Sequence, residues 1–187
     1  EYGYRGILYG NYMKTREGIK LIEFNARFGD PEVIPVLDLL ETDLFEIFEA
    51  ISLQTLDKLD IKFRNEYSLC KYLVPVGYPL NPLKEKVISL GELTHEQRDK
   101  VYLAGVKSEC SNLIMTGSRT LAVCVSGDNT NLIYEELERI ISKIVGQMFH
   151  RPDIRNDEEQ NLSLYKNAGV NIDEGNKVVN KIRSSLE

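Results

Sequence analysis

Residues 19–32 constrain the fold more than any other part of the chain. Ile19-Lys20-Leu21-Ile22-Glu23-Phe24-Asn25 alternates apolar and polar side chains, which predicts a strand. Ala26-Arg27-Phe28-Gly29-Asp30-Pro31-Glu32 follows with turn-forming Gly, Asp and Pro in succession. Asp30 suits an N-cap, Pro31 a first helical residue and Glu32 a first helical turn. A strand is therefore expected to turn sharply into a helix running from about Pro31 to Leu40. Side chains at i and i+2 of a strand share a face. Glu23 and Asn25 thus offer a carboxylate and an amide oxygen to one side. Hard cations such as Mg²⁺ take oxygen ligands, commonly one or two from the protein and the rest from nucleotide phosphates. A polar strand face that merely meets water explains the same spacing. Arg27 can hold a phosphate or carboxylate bidentately, or pair on the surface with Asp30 or Glu32. Gly29 has no side chain to keep an anion from its backbone N–H.

The rest of the chain reads as alternating short elements. Residues 5–14 and 19–25 suggest two strands joined across Arg16-Glu17-Gly18. Thr42 is placed to cap a second helix through about Leu53, with Leu44, Phe45, Ile47, Phe48 and Ile51 at helical spacing as its core stripe. Residues 54–67 connect to a second unit. There, 68–76, 86–90, 101–107, 112–116 and 119–126 read as strands. A helix from Thr130 or Asn131 to about Gln147 points Leu132, Ile133, Leu137, Ile140, Ile141, Ile144 and Val145 inward. The expected fold class is α+β: a mixed sheet with helices, then a small β-rich domain with one long helix.

Composition narrows the chemistry. The net charge of −6 comes without a long basic run, which argues against binding a nucleic-acid backbone. No apolar stretch reaches the roughly 18–20 residues of a membrane span, so no membrane partner is expected. Cys70, Cys110 and Cys124 are odd in number and widely spaced, against a disulfide framework or a C-x-x-C zinc site. Cys70 and Cys124 lie in apolar runs and read as core residues, with Cys110 in a polar stretch. His95 reads as part of a surface loop. His150 can touch a ligand or play a plain structural part. With no Ser–His–Asp or Cys–His arrangement, nucleophilic catalysis has no support.

The string Leu21-Ile22-Glu23-Phe24-Asn25-Ala26-Arg27-Phe28-Gly29-Asp30-Pro31-Glu32 resembles the signature of phosphoribosylamine–glycine ligases, which are ATP-grasp enzymes. Further strings resemble the same family in order: Gly6-Ile7-Leu8-Tyr9, Val76-Gly77-Tyr78-Pro79, Ala104-Gly105-Val106-Lys107, Thr116-Gly117-Ser118-Arg119-Thr120-Leu121-Ala122-Val123 and Phe149-His150-Arg151-Pro152-Asp153-Ile154. The likeness covers about residues 1–155. It implies residues 1–67 as the C-terminal part of an ATP-grasp domain and 68–155 as the family's C-terminal domain. It also implies ATP, glycine and phosphoribosylamine as substrates, with glycyl phosphate as intermediate; the composition, ordinary for a folded soluble chain, leads to a cytoplasmic expectation. Glu23 and Asn25 would hold Mg²⁺ or Mn²⁺. Arg27 would stabilise the acyl phosphate or a substrate phosphate, Gly29 would approach an anion, and Asp30 would contact an amine. Two departures stand near these residues. Asn11 and Ser118 occupy positions where the family usually carries Gly, and a positive φ at Ser118 would be strained.

The family's phosphoribosylamine-binding domain and its ATP-binding Lys and Glu are not found in the chain. The remainder of a longer polypeptide is therefore expected to be required, and the chain by itself is expected to be inactive. Residues 156–162 read as a linker. Residues 163–187, with Leu164-Tyr165-Lys166-Asn167-Ala168-Gly169-Val170, are similar to the opening of aminoimidazole ribonucleotide synthetases, which implies a fusion of two purine-pathway activities. A short amphipathic tail helix capped by Asp173 is the other reading. Another ATP-grasp carboxylate–amine ligase, or a binding module without turnover, are the alternative functions.

Overall fold

The computed structural model describes residues 3–152 and Ile154. The readings of 156–162 and 163–187 lie outside the described residues. The strands in chain order are β1 (Tyr9–Thr15), β2 (Gly18–Asn25), β3 (Tyr67–Pro75), β4 (Lys86–Ile88), β5 (Val101–Leu103), β6 (Val106–Glu109), β7 (Asn112–Met115), β8 (Leu121–Gly127) and β9 (Met148–Phe149). The helices are α1 (Val33–Leu39), α2 (Leu44–Leu53), α3 (His95–Arg98) and α4 (Thr130–Lys143), with a 3-10 turn at Leu56–Lys58. The α+β class holds. Among the described residues, contacts divide the chain into two units, Gly10–Phe24 and the remainder.

In the Gly10–Phe24 unit, β1 and β2 form a two-stranded hairpin. Thr15 closes its turn: Oγ1 donates to the Gly18 carbonyl at 2.9 Å and accepts from the Glu17 N–H at 3.2 Å. Tyr12 and Phe24 meet edge to face with ring centres 6.1 Å apart, a favoured arrangement for aromatic pairs.

In the larger unit, one sheet has the order β5-β8-β3-β9 and another β4-β7-β6. All pairings within these two sheets are antiparallel. β3 and β8 are the centre, in a register that sets Cys70 opposite Cys124. The apolar run of β8 is buried because β3 and β5 flank it and α4 covers it. Ile133, Leu137, Ile140 and Ile141 of α4 form the core with Leu73, Leu121, Val123, Val125, Ile88 and Met115. Burial of each such side chain contributes roughly 1.5–3 kcal/mol. The Asn129 side chain caps α4 by accepting from the N–H groups of Asn131 and Leu132 at 3.0 and 3.1 Å.

Several expectations are corrected here. α1 begins at Val33, not Pro31, and its N-cap residue Glu32 makes no side-chain cap. Asp43 caps α2 by accepting from the Phe45 N–H at 2.7 Å. Thr42 instead accepts from the Lys62 N–H at 2.7 Å. Of the α2 stripe, Ile47 is buried, whereas Phe45 is 73% exposed and Phe48 44% exposed; Ala50, outside the stripe, is buried as well. Leu132 and Val145 also face outward. The expected strand 101–107 is two strands in different sheets, β5 and β6, because the chain breaks at Ala104-Gly105. His95 opens the short helix α3, capped by a reciprocal Thr94–Gln97 box. Sequence reading missed β9, which has only two residues. The positive φ near Ser118 falls on Gly117 at 98°, so Ser118 is spared that strain.

Candidate functional site

Glu23 and Asn25 lie two residues apart in β2, with Glu23 exposed and Asn25 half-buried. The strand places a carboxylate and an amide oxygen on one face. Two hard oxygen donors suit a divalent cation that takes its other ligands from phosphates and water. Among the described residues no group of three or more His, Cys, Asp and Glu is placed to hold a metal.

Beyond β2 the chain folds tightly. Gly29 is buried, and its carbonyl accepts from the Val33 N–H at 3.0 Å, which leads into α1. A Cβ at Gly29 would stand 2.6 Å from Glu32 Oε2 and 2.7 Å from a ring carbon of Tyr9. Close approach is therefore what requires glycine here. Arg27 is exposed and donates through Nη1 to the Phe28 carbonyl at 2.7 Å. It makes no ion pair with Asp30 or Glu32. Its guanidinium has five N–H donors, and one is spent on this local bond.

Asp30 does not cap α1 because its carboxylate is held elsewhere. Tyr72 on β3 donates its hydroxyl to Asp30 Oδ1 at 2.8 Å. Arg119, just before β8, donates Nη2 to Asp30 Oδ2 at 2.9 Å and Nη1 to the Asp30 carbonyl at 2.9 Å. The Arg119 guanidinium also lies 5.0 Å from the Tyr72 ring centre, within cation–π range. Burial, and then the bond to Asp30, pushes the Tyr72 phenol up to about 12. Arg119 reaches this position from a tight turn at Gly117. A Cβ on Gly117 would stand 2.8 Å from Lys84 side-chain carbons.

The structure thus brings Asp30 together with two residues that were not expected at the site, Tyr72 and Arg119. Arg119 had a visible signal, since it stands in the Thr116–Val123 string next to a glycine turn. Tyr72 had none, because an aromatic residue on a strand reads as ordinary sheet packing. His150 does not join these residues. Its Nε2 lies 3.1 Å from Glu138 Oε2, and Glu138 Oε1 accepts from Lys71 Nζ at 2.7 Å. Cys70, Cys110 and Cys124 are free thiols: Cys124 is buried, Cys70 partly buried and Cys110 exposed.

Comparison with known proteins gives these residues a setting. Residues 1–33 match the family "Phosphoribosylglycinamide synthetase, ATP-grasp (A) domain", and residues 68–157 match "Phosphoribosylglycinamide synthetase, C domain". The chain is 42% identical over 161 residues to a phosphoribosylamine–glycine ligase of Methanocaldococcus jannaschii, covering 83% of this chain and 35% of the relative. It is 44% identical over 156 residues to the ligase of Methanobrevibacter smithii, covering 81% of this chain and 34% of the relative. The chain therefore spans about a third of the length of these relatives. The crystal structure of a phosphoribosylamine–glycine ligase from Thermotoga maritima shares the fold, with a TM-score of 0.60 at 24% identity over 78% of this chain and 36% of that one. Asp30 lies in the region matched by the first domain family, and Tyr72 and Arg119 in the region matched by the second. Two domain models of phosphoribosylglycinamide synthetases thus match this chain in order, one over residues 1–33 and the other over residues 68–157.

Proposed function

We propose that this chain supplies part of a ligase that uses ATP to join glycine to phosphoribosylamine through glycyl phosphate. The products are glycinamide ribonucleotide, ADP and phosphate, a step of de novo purine biosynthesis. The observation that carries this reading is the strand, turn and helix of residues 19–39, with Glu23, Asn25, Arg27, Gly29 and Asp30 in one run. That run lies within or directly beside the ATP-grasp match. The parts that bind ATP and phosphoribosylamine are supplied from outside the span matched here, in cis or in trans.

Glu23 and Asn25 are the residues to hold Mg²⁺ or Mn²⁺, both of which suit oxygen ligands. A bound divalent ion supplies charge neutralisation to the ATP phosphates during phosphoryl transfer. Arg27 holds its exposed guanidinium toward the acyl phosphate or a substrate phosphate. The Gly29 N–H approaches an anion. Asp30 accepts from the amine of glycine or of phosphoribosylamine, since each carboxylate oxygen has acceptor capacity beyond the bond it already makes. Catalysis by such a set is mostly positioning and electrostatics.

The domain reading follows: residues 1–67 act with the ATP-grasp part and residues 68–155 as the C domain. We read residues 163–187 as the opening of an aminoimidazole ribonucleotide synthetase, supported by the string from Leu164 to Val179. Three free thiols fit a cytoplasmic setting.

The test is ADP release that depends on both glycine and phosphoribosylamine, measured with the ATP-binding part present. Glu23→Ala is expected to abolish release and leave the thermal transition in place. Near-wild-type turnover of that variant would sink the metal-ligand role. Turnover with other acid and amine pairs, and none with glycine, would point to a different carboxylate–amine ligase. Nucleotide binding without turnover would point to a binding module.

A further inference from the structure

We infer that Arg119 and Tyr72 are positioning residues for the ligation, holding Asp30 in the pose from which it meets the substrate amine. This rests on the ligase reading above. Arg119 grips Asp30 twice, through the main-chain carbonyl and through Oδ2, both at 2.9 Å. Tyr72 takes the other carboxylate oxygen at 2.8 Å. Backbone position and side-chain rotamer are therefore set together, which a single contact to the carboxylate alone would not do.

The clamp leaves Asp30 usable. Its side chain remains 46% exposed, and that of Arg119 36% exposed. Both clamping residues are anchored by the sheet: Tyr72 is within β3, paired across to Ala122 of β8. Arg119 leads straight into β8, and its carbonyl accepts from the Gly105 N–H at 2.7 Å. Asp30 itself lies in the loop between β2 and α1. Each part of the arrangement uses what only that residue type supplies. A planar guanidinium spans carbonyl and carboxylate at once and stacks on the phenol ring, whereas an ammonium is a point charge. A reacting group misplaced by about 1 Å can lose a factor on the order of 10² in rate.

The test is a set of variants in the protein completed with its ATP-binding part. Arg119→Ala is expected to lower kcat about 10- to 100-fold while KM for ATP stays nearly unchanged. Arg119→Lys is expected to recover little, and added guanidinium ion to restore part of the Arg119→Ala rate. Tyr72→Phe is expected to give a smaller loss of the same kind. The deciding measurement is the double variant. If Arg119 acts through Asp30, then Arg119→Ala costs nothing further once Asp30→Ala is present. Losses that multiply would mean that Arg119 acts on its own and would overturn the inference. Wild-type protein without ligation would sink the ligase reading, and the clamp is then decided by hydrogen exchange. Exchange over residues 28–32 should speed up in Arg119→Ala and Tyr72→Phe while the β3 and β8 amides stay protected. Unchanged exchange over that loop in both variants would overturn the clamp.

Discussion

Lys71, only 1% exposed, donates to Glu138 Oε1 at 2.7 Å and lies 4.6 Å from the centre of the Tyr134 ring. The other Glu138 oxygen faces His150 Nε2 at 3.1 Å. β3, α4 and the segment after β9 are thus tied at one carboxylate. Removing one partner of a buried pair strands the other charge, at roughly 3–5 kcal/mol. Glu138 is itself 30% exposed, which places the expected cost near the lower end. Glu138→Gln should destabilise by about 3 kcal/mol. Lys71→Met should cost less, since it removes the buried charge and leaves the better-solvated one. Urea midpoints check the order, and equal costs would contradict it.

The same carboxyl sets an acid limit. Burial pushes Glu138 up, but the bond and charge of Lys71, with His150, outweigh it and hold the group below its ordinary value of 4.5. A carboxyl lowered on folding contributes stability that is complete above its unfolded value and is lost as pH falls through the folded one. Glu138→Gln should therefore flatten the fall in stability below about pH 4.5. Stability measured against pH in both proteins checks this.

At high pH the sign is reversed. Tyr72 is pushed up to about 12, mainly by burial and then by Asp30. A group raised on folding contributes stability that is complete below its unfolded value, about 10 for tyrosine, and is lost as pH climbs through the folded one. The phenolate absorbance that Tyr72→Phe removes should titrate near 12. In Asp30→Ala it should titrate lower, while staying above an exposed tyrosine because burial remains. Unchanged titration in Asp30→Ala would deny the contact.

The turn between β6 and β7 offers a gain. Cys110 and Ser111, with φ of 47° and 68°, are the two residues between the paired Glu109 and Asn112. Two positive φ values in a two-residue hairpin favour Asn-Gly. Neither native residue is suited to them. Replacing the pair with Asn-Gly should stabilise the protein by about 1 kcal/mol. Thermal melts of the double variant check this, and a lower melting temperature would refute it.

On α2, Ile47→Ala should destabilise by about 2–4 kcal/mol, whereas Phe45→Ala should cost less than about 1 kcal/mol. Ile47 is 7% exposed and Phe45 73% exposed. Chemical denaturation of the two variants checks the contrast.

That contrast also marks what periodicity can and cannot say. It placed α4, β3 and β8 well, because each buries a repeating apolar face against the others. It placed Phe45 and Phe48 in the core, since spacing identifies an apolar stripe but not how far its cover extends. Asp30 had every local mark of an N-cap, yet its partners lie 42 and 89 residues away in sequence. Local propensity has no knowledge of such partners. The split into β5 and β6 was hidden because Val101 to Lys107 reads as one β-prone run. Its small residues, Ala104 and Gly105, mark the place where the chain changes sheets. The residues of the β2–α1 run were legible from chemistry and resemblance, and the clamp around Asp30 was not.

Asp30 leaves the ribosome 89 residues ahead of Arg119. At ordinary rates of synthesis that interval is on the order of ten seconds. Until then Asp30 lacks the partner that grips both its carbonyl and its carboxylate. In a growing chain the run from Glu23 to Glu32 is thus made well before the two residues that hold Asp30, and its clamp closes only when β8 pairs with β3.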